Sequence, residues 1–151
     1  MVKILFVCLG NICRSPMAEY IFKDMVNRKG LSSDYIINSA ATSREEIGND
    51  MHYGTKQKLK QMGVKYTVHI AKQLKKEDYN KYDYIIGMED SNIRDILNIM
   101  GKDEKHKIYR LLDFSKKPRD IADPWYTGNF DKTYEDIKEG CEALLKKICN
   151  E

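Results

Sequence analysis

Val7–Pro16, reading VCLGNICRSP, decides how the rest of the chain is read. It continues an apolar run, Lys3 to Val7 (KILFV), whose composition suits a strand buried on both faces. Ser15 and Pro16 then read as the N-cap and first-turn residues of a helix. A strand that passes through a short loop into a helix gathers backbone N–H groups at one point. The positive end of the helix dipole adds to them and makes an anion site. Cys8 lies at its floor, where positive potential suits a nucleophilic sulfur. Arg14 can return over the loop and hold two oxygens of an oxyanion with its forked guanidinium. Gly10 offers backbone angles closed to other residues, and Asn11 tolerates the left-handed region. The amides of Leu9, Gly10, Asn11, Ile12, Cys13, Arg14 and Ser15 thus form a phosphate-binding nest with a nucleophile at its base.

The 151 residues are expected to form one domain spanning 1–151, with 42% hydrophobic and 32% charged residues placing it among soluble globular chains. Twenty-six basic against 23 acidic residues leave a net charge of +3, with no run of five lysines. That balance does not suggest a nucleic-acid footprint and supports only a weak preference for anionic substrates, so no nucleic-acid partner is expected. The apolar start ends at Gly10, Asn11 and Arg14, short of a membrane span, and no signal peptide is recognised. Four cysteines do not make a disulfide framework, so the expected compartment is the cytoplasm.

Along the chain, Met17, Tyr20, Ile21, Met25 and Val26 recur at helical spacing up to Gly30. A second extended stretch covers Tyr35 to Ala41, and a helix runs from Met51 to Met62. Tyr66 to Leu74 reads as irregular and Lys75 to Lys81 as a short helix. Asp83 to Met88 is a third strand, Ser91 to Met100 a helix, and His106 to Leu112 a fourth strand. Phe114 to Gly128 reads as loop, and Phe130 to Cys149 as a long closing helix that carries Cys141 and Cys149 as core or rim residues. Strands alternating with helices predict an α/β three-layer sandwich: a four-stranded parallel sheet, order 2-1-3-4, with helices on both faces. Ligands of such sheets bind beyond the C-terminal strand ends, where strand order reverses. The loop after the first strand belongs there.

Cys8-Leu9-Gly10-Asn11-Ile12-Cys13-Arg14-Ser15-Pro16, followed by Ala18-Glu19, resembles the signature of the low-molecular-weight protein tyrosine phosphatases. Asp123-Pro124-Trp125-Tyr126 is similar to that family's acid motif. Ser39 to Ser43, His69 and Met88 to Asp95 resemble further family stretches in family order, so the likeness covers essentially the whole chain. The resemblance implies that Cys8 attacks the phosphorus of a phosphotyrosine and forms a cysteinyl-phosphate. Arg14 and the loop amides would hold the equatorial oxygens. Asp123 would protonate the leaving phenolate and then activate water, carried over the in-line path by a mobile loop. Ser15 would cap the helix and also hydrogen-bond the Cys8 sulfur. Asn11, Ser39 and His69 would brace the loop, whereas His52 and His106 read as structural. Cys13 matches the second cysteine that can close a protective disulfide with Cys8. No His/Cys cluster has metal-ligand spacing, so neither metal nor other cofactor is expected.

Ile12 puts aliphatic bulk where relatives acting on phosphoarginine tend to carry Thr, and Trp125 and Tyr126 supply flat apolar surface for a phenyl ring. These residues form the expected lip of a phosphotyrosine site, with a phosphotyrosine-bearing protein or peptide as substrate and a tyrosine kinase as an admissible partner. Arg44-Glu45-Glu46 stands where many eukaryotic relatives have an aromatic wall, giving one charged rim. Three rivals remain: a thiol-dependent arsenate reductase, a protein arginine phosphatase of the same fold, and a phosphocysteine carrier. The first needs a relay cysteine in mid-chain, and none lies between Cys13 and Cys141. The carrier needs neither Arg14 nor Asp123.

Overall fold

The computed structural model describes residues 1–150. Ten elements follow in order: β1 (Val2–Cys8), α1 (Arg14–Arg28), β2 (Tyr35–Ala41), α2 (Tyr53–Gln61), α3 (Asp78–Lys81), β3 (Tyr84–Gly87), α4 (Asp90–Met100), β4 (Ile108–Arg110), α5 (Pro124–Thr127) and α6 (Phe130–Cys149). The strands form one parallel sheet in the order β2-β1-β3-β4, as the alternation of elements predicts.

β1 is paired on both sides, which explains its unbroken apolar run. Ile4, Phe6 and Cys8 join the core under α1, α2 and α6, where Phe22, Leu59 and Leu144 are also buried. Leu5 and Val7 point to the other face and meet Ile96 and Met100 of α4. Each fully buried side chain of this size contributes about 1.5–3 kcal/mol. The sheet is therefore sandwiched between helix layers. The chain leaves β1 towards β2 on one side and later returns to β3 on the other, so Cys8 stands at the point where strand order reverses.

Gly87 at the end of β3 permits a close approach. A Cβ there would lie 3.0 Å from Ile93 Cδ1 and 3.1 Å from Asn92 Cβ, so α4 packs on the strand more tightly than a side chain would comfortably allow. Asn92 Oδ1 accepts the N–H groups of Met88 (3.0 Å) and Glu89 (3.1 Å), which tightens the turn and holds Glu89 at the C-terminal sheet edge.

Three local expectations change. The fourth strand is shorter than His106–Leu112. His106 has φ +52, and Leu111–Phe114 coil into a 3-10 turn whose Leu111 and Leu112 are fully buried. The segment expected to be loop holds α5, started by Asp123, whose Oδ1 accepts the N–H of Trp125 at 3.0 Å. Ser15 does not cap α1. That helix begins at Arg14 after Cys13, without a side-chain cap, because the Ser15 hydroxyl is engaged inside the loop.

Candidate active site

Residues 9–13 join β1 to α1, and Asn11 alone among them takes the left-handed region, at φ 58. Gly10 does not, so its conformational freedom is not what shapes the turn. The twist at Asn11 aims its own N–H at the Cys8 sulfur (3.3 Å), while the Ser15 N–H approaches from the other side at 3.4 Å. The Ser15 hydroxyl lies 3.1 Å from the same sulfur. Three polar hydrogens are thus available to one sulfur atom. The N–H groups of Gly10, Ile12 and Cys13 donate to no protein acceptor among the described residues.

The loop is held by a buried network centred on Asn11, which has no exposure. Its Nδ2 donates to Ser15 Oγ (2.7 Å) and to Ser39 Oγ on β2 (2.9 Å). His69 Nε2 reaches the Asn11 carbonyl at 2.8 Å and Oδ1 at 3.1 Å; both are acceptors, so Nε2 carries the proton. Ser39 and His69, expected as braces, both hydrogen-bond Asn11.

Arg14 is 2% exposed, so its charge needs partners. Its Nη1 donates to Glu89 Oε2 (2.7 Å) and to the Ile121 carbonyl (2.8 Å); Nη2 lies 3.4 Å from Asp123 Oδ2. One guanidinium therefore ties the β1 loop to the α4 start and to the segment carrying Asp123. Cys8, Arg14 and Asp123 line a cleft of about 110 Å³ with Leu9, Gly10, Ile12 and Cys13. Glu45 and Glu46 form one rim, and Trp125 and Tyr126, 56% and 78% exposed, form the other. Two larger hollows, of about 510 and 900 Å³, lie on the α1 side away from Cys8.

The family model described as "Low molecular weight phosphotyrosine protein phosphatase" matches residues 3–151, motif and acid segment included. The chain belongs to this family. The phosphatase is 42% identical over 153 residues to the low molecular weight protein-tyrosine-phosphatase YfkJ of Bacillus subtilis, covering all of this chain and 98% of that one. The crystal structure of YfkJ superposes with a TM-score of 0.94, covering 99% of this chain and 96% of the other. The low molecular weight phosphotyrosine protein phosphatase of Homo sapiens is 40% identical over 150 residues, 96% of this chain and 94% of its own. The drosophila arginine phosphatase DARP shares the fold at a TM-score of 0.89 and 31% identity, over 97% of this chain and 98% of its own.

Several groups in the phosphatase site carry no local sequence signal. Glu89, the Arg14 partner, is one. Glu19 is another, buried on α1 and accepting the Ser39 hydroxyl at 2.5 Å. Asp50 accepts the His69 N–H at 2.9 Å; burial pushes its carboxyl up, but Lys56 and the N–H groups of His69 and Met51 hold it below the ordinary value. Both glutamates stand within stretches that resemble the family, but neither attracts a role from residue type alone. His52 does two jobs: its Nδ1 accepts the Gly54 N–H at the start of α2, and its ring stacks on Phe130 (5.3 Å) and meets the Trp125 ring edge-on (5.5 Å). Ile12 is 9% exposed and packs with Cys13, Ala71 and Phe130, so it shapes the cleft wall more than the lip. Burial, reinforced by neighbouring Cys8, pushes the Cys13 thiol up to about 12.

Among the described residues, no helix is long and apolar enough to cross a membrane.

Proposed function

We propose that this phosphatase hydrolyses phosphotyrosine in two steps, with residues 1–151 acting as a single catalytic domain. Cys8 Sγ attacks phosphorus in line, the bond from phosphorus to the phenolic oxygen breaks, and Asp123 gives its proton to the departing oxygen. Asp123, now a carboxylate, takes a proton from water; that oxygen attacks phosphorus and the bond to sulfur breaks. Arg14 and the amides of residues 9–14 hold the equatorial oxygens throughout. The departing sulfur is received by the Asn11 N–H, the Ser15 N–H and the Ser15 hydroxyl. One observation carries this reading: a cysteine sulfur with three polar hydrogens around it, at the floor of a cleft that also holds Arg14 and Asp123.

Phosphotyrosine on a protein or peptide is the favoured substrate, and a tyrosine kinase is then the natural source of it. The exposed rings of Trp125 and Tyr126 can flank a phenyl group, and Ile12 presents no hydroxyl to the cleft. Likeness to an arginine phosphatase at the level of fold leaves that rival to be separated by substrate. We further assign Cys13 as the partner for an oxidised Cys8: a peroxide converts the Cys8 sulfur to the sulfenic acid, and the Cys13 thiol displaces water to form the disulfide.

The test is hydrolysis of an aryl phosphate without added metal by wild type, Cys8→Ser and Asp123→Ala. Turnover is expected to vanish in Cys8→Ser and to fall by about 10²-fold or more in Asp123→Ala. Undiminished turnover by Cys8→Ser sinks the mechanism. Preference for phosphoarginine over phosphotyrosine, or arsenate reduction, would reassign the substrate.

A further inference from the structure

Residues 115–122 connect the turn after β4 to α5 and form neither helix nor strand, yet three successive side or main chains within them are each tied to a different element. Arg119 places its fork on Glu139 of α6, with Nη1 to Oε2 and Nη2 to Oε1 both at 3.0 Å, and Nη2 also reaches Asp136 Oδ1 at 2.9 Å. The Asp136 carboxylate is only 6% exposed and is shared by Arg119 and by Lys132, whose Nζ lies 3.1 Å from the same Oδ1. Asp120 Oδ1 accepts from Arg110 Nη1 (3.0 Å) and from the N–H of Asp90, the first residue of α4 (2.9 Å). Ile121 donates its N–H to the Met88 carbonyl (2.9 Å) and accepts from Arg14 at 2.8 Å. Asp123 follows two residues later.

We propose that Arg119 and Asp120 are positioning residues for the phosphatase reaction, fixing the register of the segment that carries Asp123 and orients Arg14. This rests on the reading of Asp123 as general acid. The direction of the contacts supports it. Ile121 holds the guanidinium through its carbonyl while Asp123 hangs from the same stretch, so a slide of this segment displaces the acid and the phosphate-gripping group together. An irregular segment has no ladder of its own to resist such a slide. Arg119 resists it from α6 and Asp120 from α4 and β4. Ser115 Oγ donates to the same Glu139 carboxylate, so the α6 anchor takes in both ends of the stretch from 115 to 119. The acid segment is therefore braced on two sides, from α6 and from α4 with β4.

The experiment compares kcat/KM on phenyl phosphate and on dinitrophenyl phosphate for wild type, Asp123→Ala, Arg119→Met, Arg119→Lys and Asp120→Ala. Phenolate needs a proton as it leaves and dinitrophenolate does not, so the ratio of the two rates reports how well the acid is placed. Partial unfolding lowers both rates alike and leaves the ratio unmoved. Asp123→Ala is expected to lower the phenyl-to-dinitrophenyl ratio by about 10²-fold. Arg119→Met and Asp120→Ala are each expected to lower it by about tenfold, within the loss that small misplacements produce, with Arg119→Lys recovering most of it. A wild-type ratio in both Arg119→Met and Asp120→Ala overturns the proposal while leaving Asp123 its role. A wild-type ratio in Asp123→Ala removes the acid itself, and the positioning role with it.

Discussion

Replacing Asn11 by Ala tests whether the catalytic loop is held by its buried network. The backbone at φ 58 suits Asn, and Ala there costs about 1 kcal/mol more. Four hydrogen bonds disappear: from Nδ2 to Ser15 and Ser39, and to Oδ1 from His69 and from the Lys72 N–H at 3.3 Å. Ser15, Ser39 and His69 each keep a second partner in Cys8, Glu19 and the residue 11 carbonyl. Each lost bond is therefore taken at the low end of its range, about 0.5 kcal/mol. Together the effects amount to about 3 kcal/mol. At a urea slope of about 2 kcal/mol per molar, the unfolding midpoint should fall by about 1.5 M. The amides around Cys8 lose their fixed directions, and kcat/KM on an aryl phosphate should fall by about 10²-fold. A midpoint within about 0.5 M of wild type, with activity within about twofold, would show that the network does not hold the loop.

Two further outcomes follow from shifted groups. Cys13, buried beside Cys8 and pushed up to about 12, stays a neutral thiol at neutral pH, so iodoacetate should label Cys8 and spare Cys13; equal labelling at pH 7, read by peptide mass, would contradict this. Glu139 is held at about 2, against an ordinary 4.5, by Arg119 and Ser115. Its contribution to stability is thus fully present above about pH 4.5 and is lost as pH falls through about 2. With the carboxylate 43% exposed, solvent screening limits the effect to about 1 kcal/mol at neutral pH. Thermal melts of wild type and Glu139→Gln should differ at pH 7 and converge near pH 2; a gap that persists at low pH would refute the pairing.

The β1–loop–α1 unit is legible in the sequence because its signals are local. KILFV is short, apolar and flanked by turn residues, as a covered strand is, and Gly, Ser and Pro punctuate the passage into α1. Asp123 is legible only through the likeness of Asp123-Pro124-Trp125-Tyr126 to the family's acid motif, because Asp-Pro by itself reads as a turn and α5 is not foreseen. One strong local signal nevertheless misleads: Ser-Pro reads as a cap, but Asn11 and Cys8 take the hydroxyl. Gly10 and Asn11 both read as able to take special backbone angles, and it is Asn11 that does so. The fourth strand is overextended for a related reason: Leu111 and Leu112 are as buried in a 3-10 turn as they would be in a strand, and burial alone does not reveal the period. Glu89 and Ile121 meet Arg14 across 75 and 107 residues of chain, and Arg119 meets α6 only after the helix has docked. Such contacts are products of the fold and leave no mark in local spacing.

The central claim is that phosphorus passes through the Cys8 sulfur. Acid quench of Asp123→Ala during turnover of an aryl phosphate, followed by peptide mass analysis, tests it most directly, because loss of the base should let the intermediate accumulate. One phosphoryl group is expected on the peptide containing Cys8, and none in the Cys8→Ser background. Phosphoryl transfer to any other residue, or continued turnover with no adduct and with Cys8 replaced, would contradict it.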